Sequence, residues 1–462
     1  MANTKLTRNH SGAGDSRKKM TWSWWIKRSK LGATQYLYNQ YNSTDQYNSG
    51  VLFQSDDSMR FWDYGSSSND IDLQTTRLFR DTNAWYHIVL AIDTTQGTAS
   101  NRVKLYVNGV QETAFDVSTY PSQDHQLRMG EAGSAYQQQI GFQGFGSTYQ
   151  SYFDGIMSHV HYVDGTQYAA SDFGSTDSTT GEWKINTSPS VTYGTNGFFI
   201  LKDGNSVTDS SSNSNAFTVS AGTLTNTEDC PSNVFATFNA LTSWLGQNRT
   251  PTQVLANGNL KTGIGSSEKA LLVSTIGVTS GKYYWEAKSD GVSKLFFGFS
   301  NRLVFDTSSD PHSQSGYNGV YYYEGTPDFR TYGSNTSTTG IVSISSGDIL
   351  GFALDMDNHA FYIHKNGTYM NSGSPTSGSS RTGSIAELFT YGRNCLSDYG
   401  EVFASAYVTS TSGSGTASFN FGNGYFGTTA VSSAGTNASG NGIFEYDVPT
   451  GYTALSTKGL NE

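Results

Sequence analysis

Hydrolytic chemistry would have to begin with carboxylates. A retaining glycosidase needs two of them about 5.5 Å apart, an inverting one about 6.5–9.5 Å. On a strand, that geometry asks for acids two residues apart and facing one groove. Asp70/Asp72 and Asp355/Asp357 have the spacing, but the first pair adjoins a Ser/Asn loop and the second brackets a turn. A nucleophile is no easier to find. There is no Gly-x-Ser-x-Gly elbow and no Gly-rich phosphate loop ending in Lys-Ser/Thr, and Cys230 and Cys395 lie far apart in polar surroundings. His159 and His161 have the spacing of two metal ligands on one strand face, yet no third ligand accompanies them, so packing or surface roles are expected. His87, inside Trp85-Tyr86-His87, reads as a core residue. No catalytic residue is assigned, and the chain is expected not to be an enzyme.

Aromatic residues beside polar ones are the better candidates. Sugars offer apolar C–H faces and hydroxyl rims, so their sites pair a stacking ring with amide or carboxylate partners. Trp62 and Tyr64, around Asp63, have that character. So do Tyr317, Tyr321, Tyr322, Tyr323 and Glu324, followed by Asp328 and Arg330. Neighbours on a strand alternate faces, so the three consecutive tyrosines cannot all point into a core. Either Tyr322 or the Tyr321/Tyr323 pair must face outward.

The elements that hold these residues are strands. Charged residues make up 14% of the 462 and aromatics another 14%, with 51 Gly and 8 Pro. Typical chains carry ~25% charged residues, so uncharged polar turns replace the long Glu/Lys-rich helices of bundles and parallel α/β enzymes. Trp22, Trp24 and Ile26 alternate with Thr21, Ser23 and Lys27, the period-2 pattern of a half-buried strand. Trp85–Ile92 and Arg102–Val107 follow. Asn108-Gly109 then predicts a type I′ hairpin to Val110–Phe115. Gly155–Val163 ends at Asp164-Gly165, and Phe198–Leu201 is a lone apolar strand in a Ser/Thr/Asn-rich stretch. A second alternating block opens at Val234–Phe238. It runs through Lys282–Ala287, Leu295–Phe299 and Ile349–Leu354, then the turn Asp355–His359 to Ala360–His364. Evenly spaced short strands of this kind make antiparallel sandwiches.

The first block resembles a laminin-G-like, concanavalin-type domain. Trp22–Arg28, Trp85–Val89, Lys104–Gly109 and Phe153–Val160 carry the resemblance in the order that the family shows. The opening strand, Lys5–Arg8, is shorter than the family's, and Phe198–Leu201 is a candidate to fill that edge. The second block resembles a SPRY domain, through Gly281–Glu286, Gly347–Gly351, the hairpin to Ile363, Asn366-Gly367 and Phe419–Gly422. Their pairing resembles virion or tail-associated structural proteins of marine bacteriophages. The laminin-G likeness also implies one Ca2+ at a sandwich rim, for which Asp56, Asp57, Asp70 and Asp72 are the candidates. Glycosidases share the concanavalin-type fold, but no Glu-x-Asp-x-Glu run of theirs occurs here.

The expected architecture is all-β: two tandem antiparallel β-sandwiches, a concanavalin/laminin-G-like jelly roll over residues 1–172 and a SPRY-like sandwich over 231–462. Between them, 173–230 reads as a Ser/Thr/Asn-rich connector with a returning strand. The net charge of −10 argues against nucleic acid. The one basic cluster, Arg17-Lys18-Lys19 with Lys27, Arg28 and Lys30, is expected on a solvated face. No run approaches the ~20 apolar residues of a membrane span, and Met1–Lys5 opens no signal peptide. The expected setting is a virion assembled in a host cytoplasm. The expected partners are a host surface glycan or protein receptor, other virion proteins and further copies of the chain. A capsid or tail decoration protein is the alternative. No sustained heptad supplies a fibre shaft.

Overall fold

Strands Lys19–Arg28 and Trp85–Asp93 pair along their length, with Trp22 opposite Leu90 and Trp24 opposite Ile88. A computed structural model describes the chain except residues 1, 2, 10, 11, 43–47, 66–68, 132, 134, 135, 203–205, 226, 240–243, 246–254, 265–268, 290–294, 301–318, 324–327, 332, 333, 337–341, 388–401, 410–414 and 462. It divides into two units, residues 1–226 and 227–462. The fold is all-β, a tandem of antiparallel sandwiches.

The first unit opens with β1 (Lys5–Asn9), β2 (Lys19–Arg28), β3 (Gln35–Asn42), β4 (Asn48–Phe53), β5 (Ser58–Tyr64) and β6 (Asn69–Leu78). There follow β7 (Trp85–Asp93), β8 (Val103–Val107), β9 (Val110–Glu112), β10 (Phe115–Thr119), β11 (Tyr136–Ile140), β12 (Gln143–Phe145) and β13 (Thr148–Gln150). The last are β14 (Gly155–Asp164), β15 (Gly174–Thr176), β16 (Trp183–Ile185), β17 (Phe198–Ile200) and β18 (Thr218–Ala221). One sheet has the order β10-β6-β5-β4-β3-β11-β1-β18, the other β17-β14-β2-β7-β8-β9. Asn108 and Gly109 adopt φ of 48° and 79°, as a type I′ turn requires, and join β8 to β9. Trp22, Trp24, Ile26, Tyr38, Phe61 and Leu73 fill the space between the sheets. Trp22 stacks on Trp24 at 5.2 Å and on Tyr162 at 4.5 Å. Each such ring removes about 150–250 Å² from water, so these rings anchor the sandwich.

The described residues between 173 and 225 pack onto this unit. β17 extends the six-stranded sheet beside β14, and β18 pairs with β1. Phe198, Ile200 and Phe217 join the core. The segment that includes β15 and β16 covers the outer face of the six-stranded sheet, where Phe173 packs with Val89 and Val163 and the partly buried Trp183 and Tyr193 join them. β2 is therefore buried on both faces from Met20 to Arg28, not on one.

In the second unit one sheet has the order Trp244–Leu245, Lys269–Val278, Val402–Thr409, Leu295–Ser300, Gly319–Tyr323, Asp328–Thr331 and Ser334–Thr336. The other centres on Lys282–Ser289, flanked by Gly415–Asn420 and by Ile349–Asp355, which pairs with Ala360–Lys365. Trp285, Phe297, Phe352, Phe361 and Phe419 form the core. Phe444, Val448 and Tyr452 of the C-terminal segment cover Tyr284 and Tyr362 on the outer face.

Candidate functional site

Along β5 the burial alternates: Met59, Phe61 and Asp63 are buried, while Arg60, Trp62 and Tyr64 are half-buried on the outer face of the eight-stranded sheet. Register then sets their neighbours. Trp62 lies opposite Gly50 on β4 and Asp72 on β6, and Gly50 lies opposite Asn39 on β3. In the adjoining row Arg60 sits between Leu52 and Gln74. The absence of a side chain at Gly50 is what lets two rings close over the strand. A Cβ there would stand 2.8 Å from Tyr36 Cε1 and 3.0 Å from Trp62 Nε1. The Trp62 indole N–H donates to the Tyr36 hydroxyl, which also accepts from Gln143 Nε2 at 2.9 Å. Burial pushes the Tyr36 hydroxyl above its ordinary value.

On its other side Trp62 meets a charged fork. Arg60 Nε donates to Asp72 Oδ1 at 2.7 Å and Nη2 donates to Oδ2 at 2.6 Å, while Asn69 Nδ2 donates to the same Oδ2 at 2.9 Å. Hairpin β12–β13 raises a wall over β3 and β11. Gly144 N–H donates to Gln139 Oε1 at 2.7 Å, Asn39 Nδ2 donates to the same oxygen at 2.7 Å, and Phe145 packs on Tyr41 at 5.1 Å. Phe145 and Tyr149 remain 41% and 47% exposed. Asn39 is fully buried here, and its Oδ1 accepts no hydrogen bond. A half-buried indole, a fixed donor–acceptor fork and an aromatic wall on one face suit a polyhydroxylated ligand with a flat C–H face.

Trp62 and Tyr64 thus share this face, but the four aspartates offered for Ca2+ do not converge. Asp56 accepts from Ser58 N–H and Oγ at the β4–β5 turn. Buried Asp57 pairs with Arg28 at 3.1 Å and accepts from Gly32 N–H. Asp70 and Asp72 stand farther along the β5–β6 hairpin, about 14–20 Å from the turn at strand rise, with Asp72 engaged by Arg60. Among the described residues, no three His, Cys, Asp or Glu side chains come together as a metal site.

In the second unit, Tyr317 and Glu324 lie outside the described residues. Tyr321 is in register with Gly298 and Arg330, Tyr322 with Phe297 and Phe329, and Tyr323 with Phe296 and Asp328. The two-strand pairing brings Tyr321, Tyr323, Asp328 and Arg330 into neighbouring positions.

The basic cluster divides: Lys30 is exposed and Arg17, Lys18 and Lys19 are partly so, whereas Lys27 and Arg28 are not on a solvated face. Arg28 is fully buried, donating to Phe79 O at 2.7 Å, and Lys27 is buried as well. Arg17, Lys18 and Lys19 pair with Glu131, Asp124 and Asp93.

The histidines have structural partners. Trp183 Nε1 donates to His87 Nδ1 at 2.9 Å, which leaves the proton of a neutral ring on Nε2, donating to Ser23 Oγ at 2.9 Å. A ring that donates to the hydroxyl cannot act as its base, and burial pushes His87 down to about 3. His159 falls within a register shift of β14, and His161 resumes the pairing opposite Ser23. His159 Nδ1 meets Ser158 Oγ, whereas His161 Nδ1 meets Tyr193 Oη. Of the other acids two apart, Asp355 pairs with Lys282 and Asp357 accepts from Gly281 N–H. Glu445 and Asp447 have the same spacing and cap the Ser432 and Thr436 N–H groups.

Residues 3–164 match the concanavalin A-like lectin/glucanases superfamily, through its laminin-G family. No curated protein matches the chain. Among solved structures, the chain is similar to the SPRY domain of human HERC1, at 18% identity over 39% of this chain and 96% of that one, with a TM-score of 0.29. It is similar to a SAP-like pentraxin from Limulus polyphemus, at 16% identity over 36% and 71%, TM-score 0.27. A third is the CBM40 of a Ruminococcus gnavus sialidase bound to sialyllactose, at 13% over 34% and 88%, TM-score 0.25.

Proposed function

We propose that the chain is a non-enzymatic binding protein of a phage particle, and that the outer face of its eight-stranded sheet holds a cell-surface glycan against Trp62. The observation that carries this reading is the row Gly50–Trp62–Asp72, which sets a stacking ring beside the Arg60–Asp72 fork under the wall of Phe145. Protein interiors satisfy polar groups with one another, whereas here the fork and Asn69 border a ring that is still partly open to solvent. Binding without turnover is supported by the tied-up acids and by the donor role of His87. The virion setting is supported by the tandem order of the laminin-G-like and SPRY-like motifs. Mass spectrometry of purified particles tests that part.

Glycan binding is tested by titrating wild type and Trp62→Ala with surface polysaccharides from the host bacterium. Loss of the stacking ring should weaken binding ten- to thirtyfold, about 1.4–2 kcal/mol, with the circular dichroism spectrum unchanged. Equal binding by a folded variant removes Trp62 from the site.

One observation favours the alternative of a decoration protein. β9 and β10 are the terminal strands of their sheets, β10 is exposed almost throughout, and Val110 and Val117 stand 66% and 37% exposed. Such edges suit pairing with a neighbouring chain.

A further inference from the structure

The Arg60–Asp72 fork bears on which glycan the site would accept, an inference that rests on the glycan reading above. A sulfate or uronate is held by guanidinium or ammonium groups whose N–H edges are available to it. Arg60 is the cation in the rows around Trp62, and its Nε/Nη2 edge is spent on both oxygens of Asp72. The pair is formally neutral, and Asp70 on β6, its side chain 39% exposed, faces His125 Nε2 at 4.0 Å. Lys5 lies beyond the hairpin wall, with Nζ 3.5 Å from the centre of the Tyr149 ring. An anionic group at Trp62 would therefore meet a carboxylate before it met an unpaired cation. A neutral sugar faces no such penalty. Adjacent hydroxyls each donate and accept, and the fork presents the remaining guanidinium N–H groups beside the open lone pair of Asp72 Oδ1.

We propose that the Arg60–Asp72 pair makes this face selective for neutral oligosaccharides and against sulfated or uronate-bearing ones. Asp72 is the specificity-determining residue, because its removal uncovers the guanidinium without adding bulk. The test titrates the full-length protein with laminarin and dextran oligosaccharides as neutral probes and with alginate and carrageenan oligosaccharides of matched length as anionic ones. Wild type should bind a neutral probe at least tenfold more tightly than any anionic one. Asp72→Asn should gain at least tenfold for the anionic probes at low salt, and the gain should shrink between about 20 and 200 mM salt as the Debye length falls from roughly 20 to 7 Å. The double variant Arg60→Gln/Asp72→Asn should lose that gain, which ties the effect to the guanidinium. Wild type that binds anionic probes as well as neutral ones overturns the selectivity and leaves the glycan site standing. So does a folded Asp72→Asn that gains nothing. Failure of every probe to bind wild type removes the glycan site itself, and the selectivity with it.

Discussion

Glu286 and Tyr446 belong to distant parts of the chain, yet the buried Glu286 carboxylate accepts the Tyr446 backbone N–H at 2.9 Å. Its other oxygen accepts the Glu445 N–H at 2.9 Å and Asn420 Nδ2 at 3.3 Å, and the Tyr284 hydroxyl donates at 3.1 Å to the first. Tyr284 in turn meets His364 Nε2 at 2.6 Å. The carboxylate thus pins the C-terminal segment to the sheet, with hydrogen-bond donors around it and no ion pair to a Lys or Arg among the described residues.

That arrangement sets a pH dependence. Burial pushes the Glu286 carboxyl up to about 7, against the pull of its four donors. The folded state holds a proton that the unfolded chain releases above about 4.5, so this contribution is fully present below that pH and is lost as pH rises through 7. At 1.36 kcal/mol per unit it amounts to about 3 kcal/mol. His364, pushed down to about 4 by burial, works the other way, since the unfolded ring binds a proton first as pH falls below 6.5. Comparing wild type with Glu286→Gln in urea at pH 4.5 and pH 8 separates the two. The stability advantage of wild type should shrink by about 3 kcal/mol toward pH 8, and a pH-independent difference counts against the buried charge.

His87 gives a spectroscopic prediction. With Nδ1 accepting from Trp183 and burial holding the ring well below 6.5, its imidazole should stay in the Nε2–H form down to pH 4. Nitrogen-15 NMR reads this directly. Titration near 6.5 would mean that the Trp183 contact is not formed.

Domain boundaries can be tested by expression. A fragment of residues 1–226 should melt cooperatively, because it keeps β17 and β18 and the core residues Phe198, Ile200 and Phe217. A fragment ending at residue 172 should not, having lost those strands and the cover over Val89 and Val163. A stable 1–172 fragment would show that the later segment is dispensable.

Gly50 separates binding from folding. In Gly50→Ala the new methyl group must displace Tyr36 or Trp62. The expected cost is about 1–2 kcal/mol in stability and at least tenfold in glycan affinity. Undiminished affinity would show that the Tyr36–Trp62 contact does not shape the site.

Much of the fold was legible because period-2 alternation and Asn-Gly turns are local signals. Trp22–Ile26, the turn at Asn108 and the Ile349–His364 hairpin all sit where the pattern puts them. What failed was non-local. Nothing near Lys27 and Arg28 in sequence announces Asp57 or the carbonyl of Phe79, so the burial of these two was invisible. Trp62 and Tyr64 are legible as candidates from their residue types alone. Arg60 could have been, from the same alternation, but Tyr36, Gly50 and Gln143 reach the ring only through strand register and hairpin closure. The aspartates failed as a group because spacing along a strand says nothing of which turn each one caps.

If Trp62 carries a sugar, the ring must be seen on it. A structure of the protein with its tightest-binding neutral oligosaccharide tests this most directly. A pyranose ring should lie on the Trp62 indole at about 4 Å, with hydroxyls in hydrogen-bond reach of Arg60 and Asp72. A sugar bound elsewhere, with Trp62 uncovered, contradicts it.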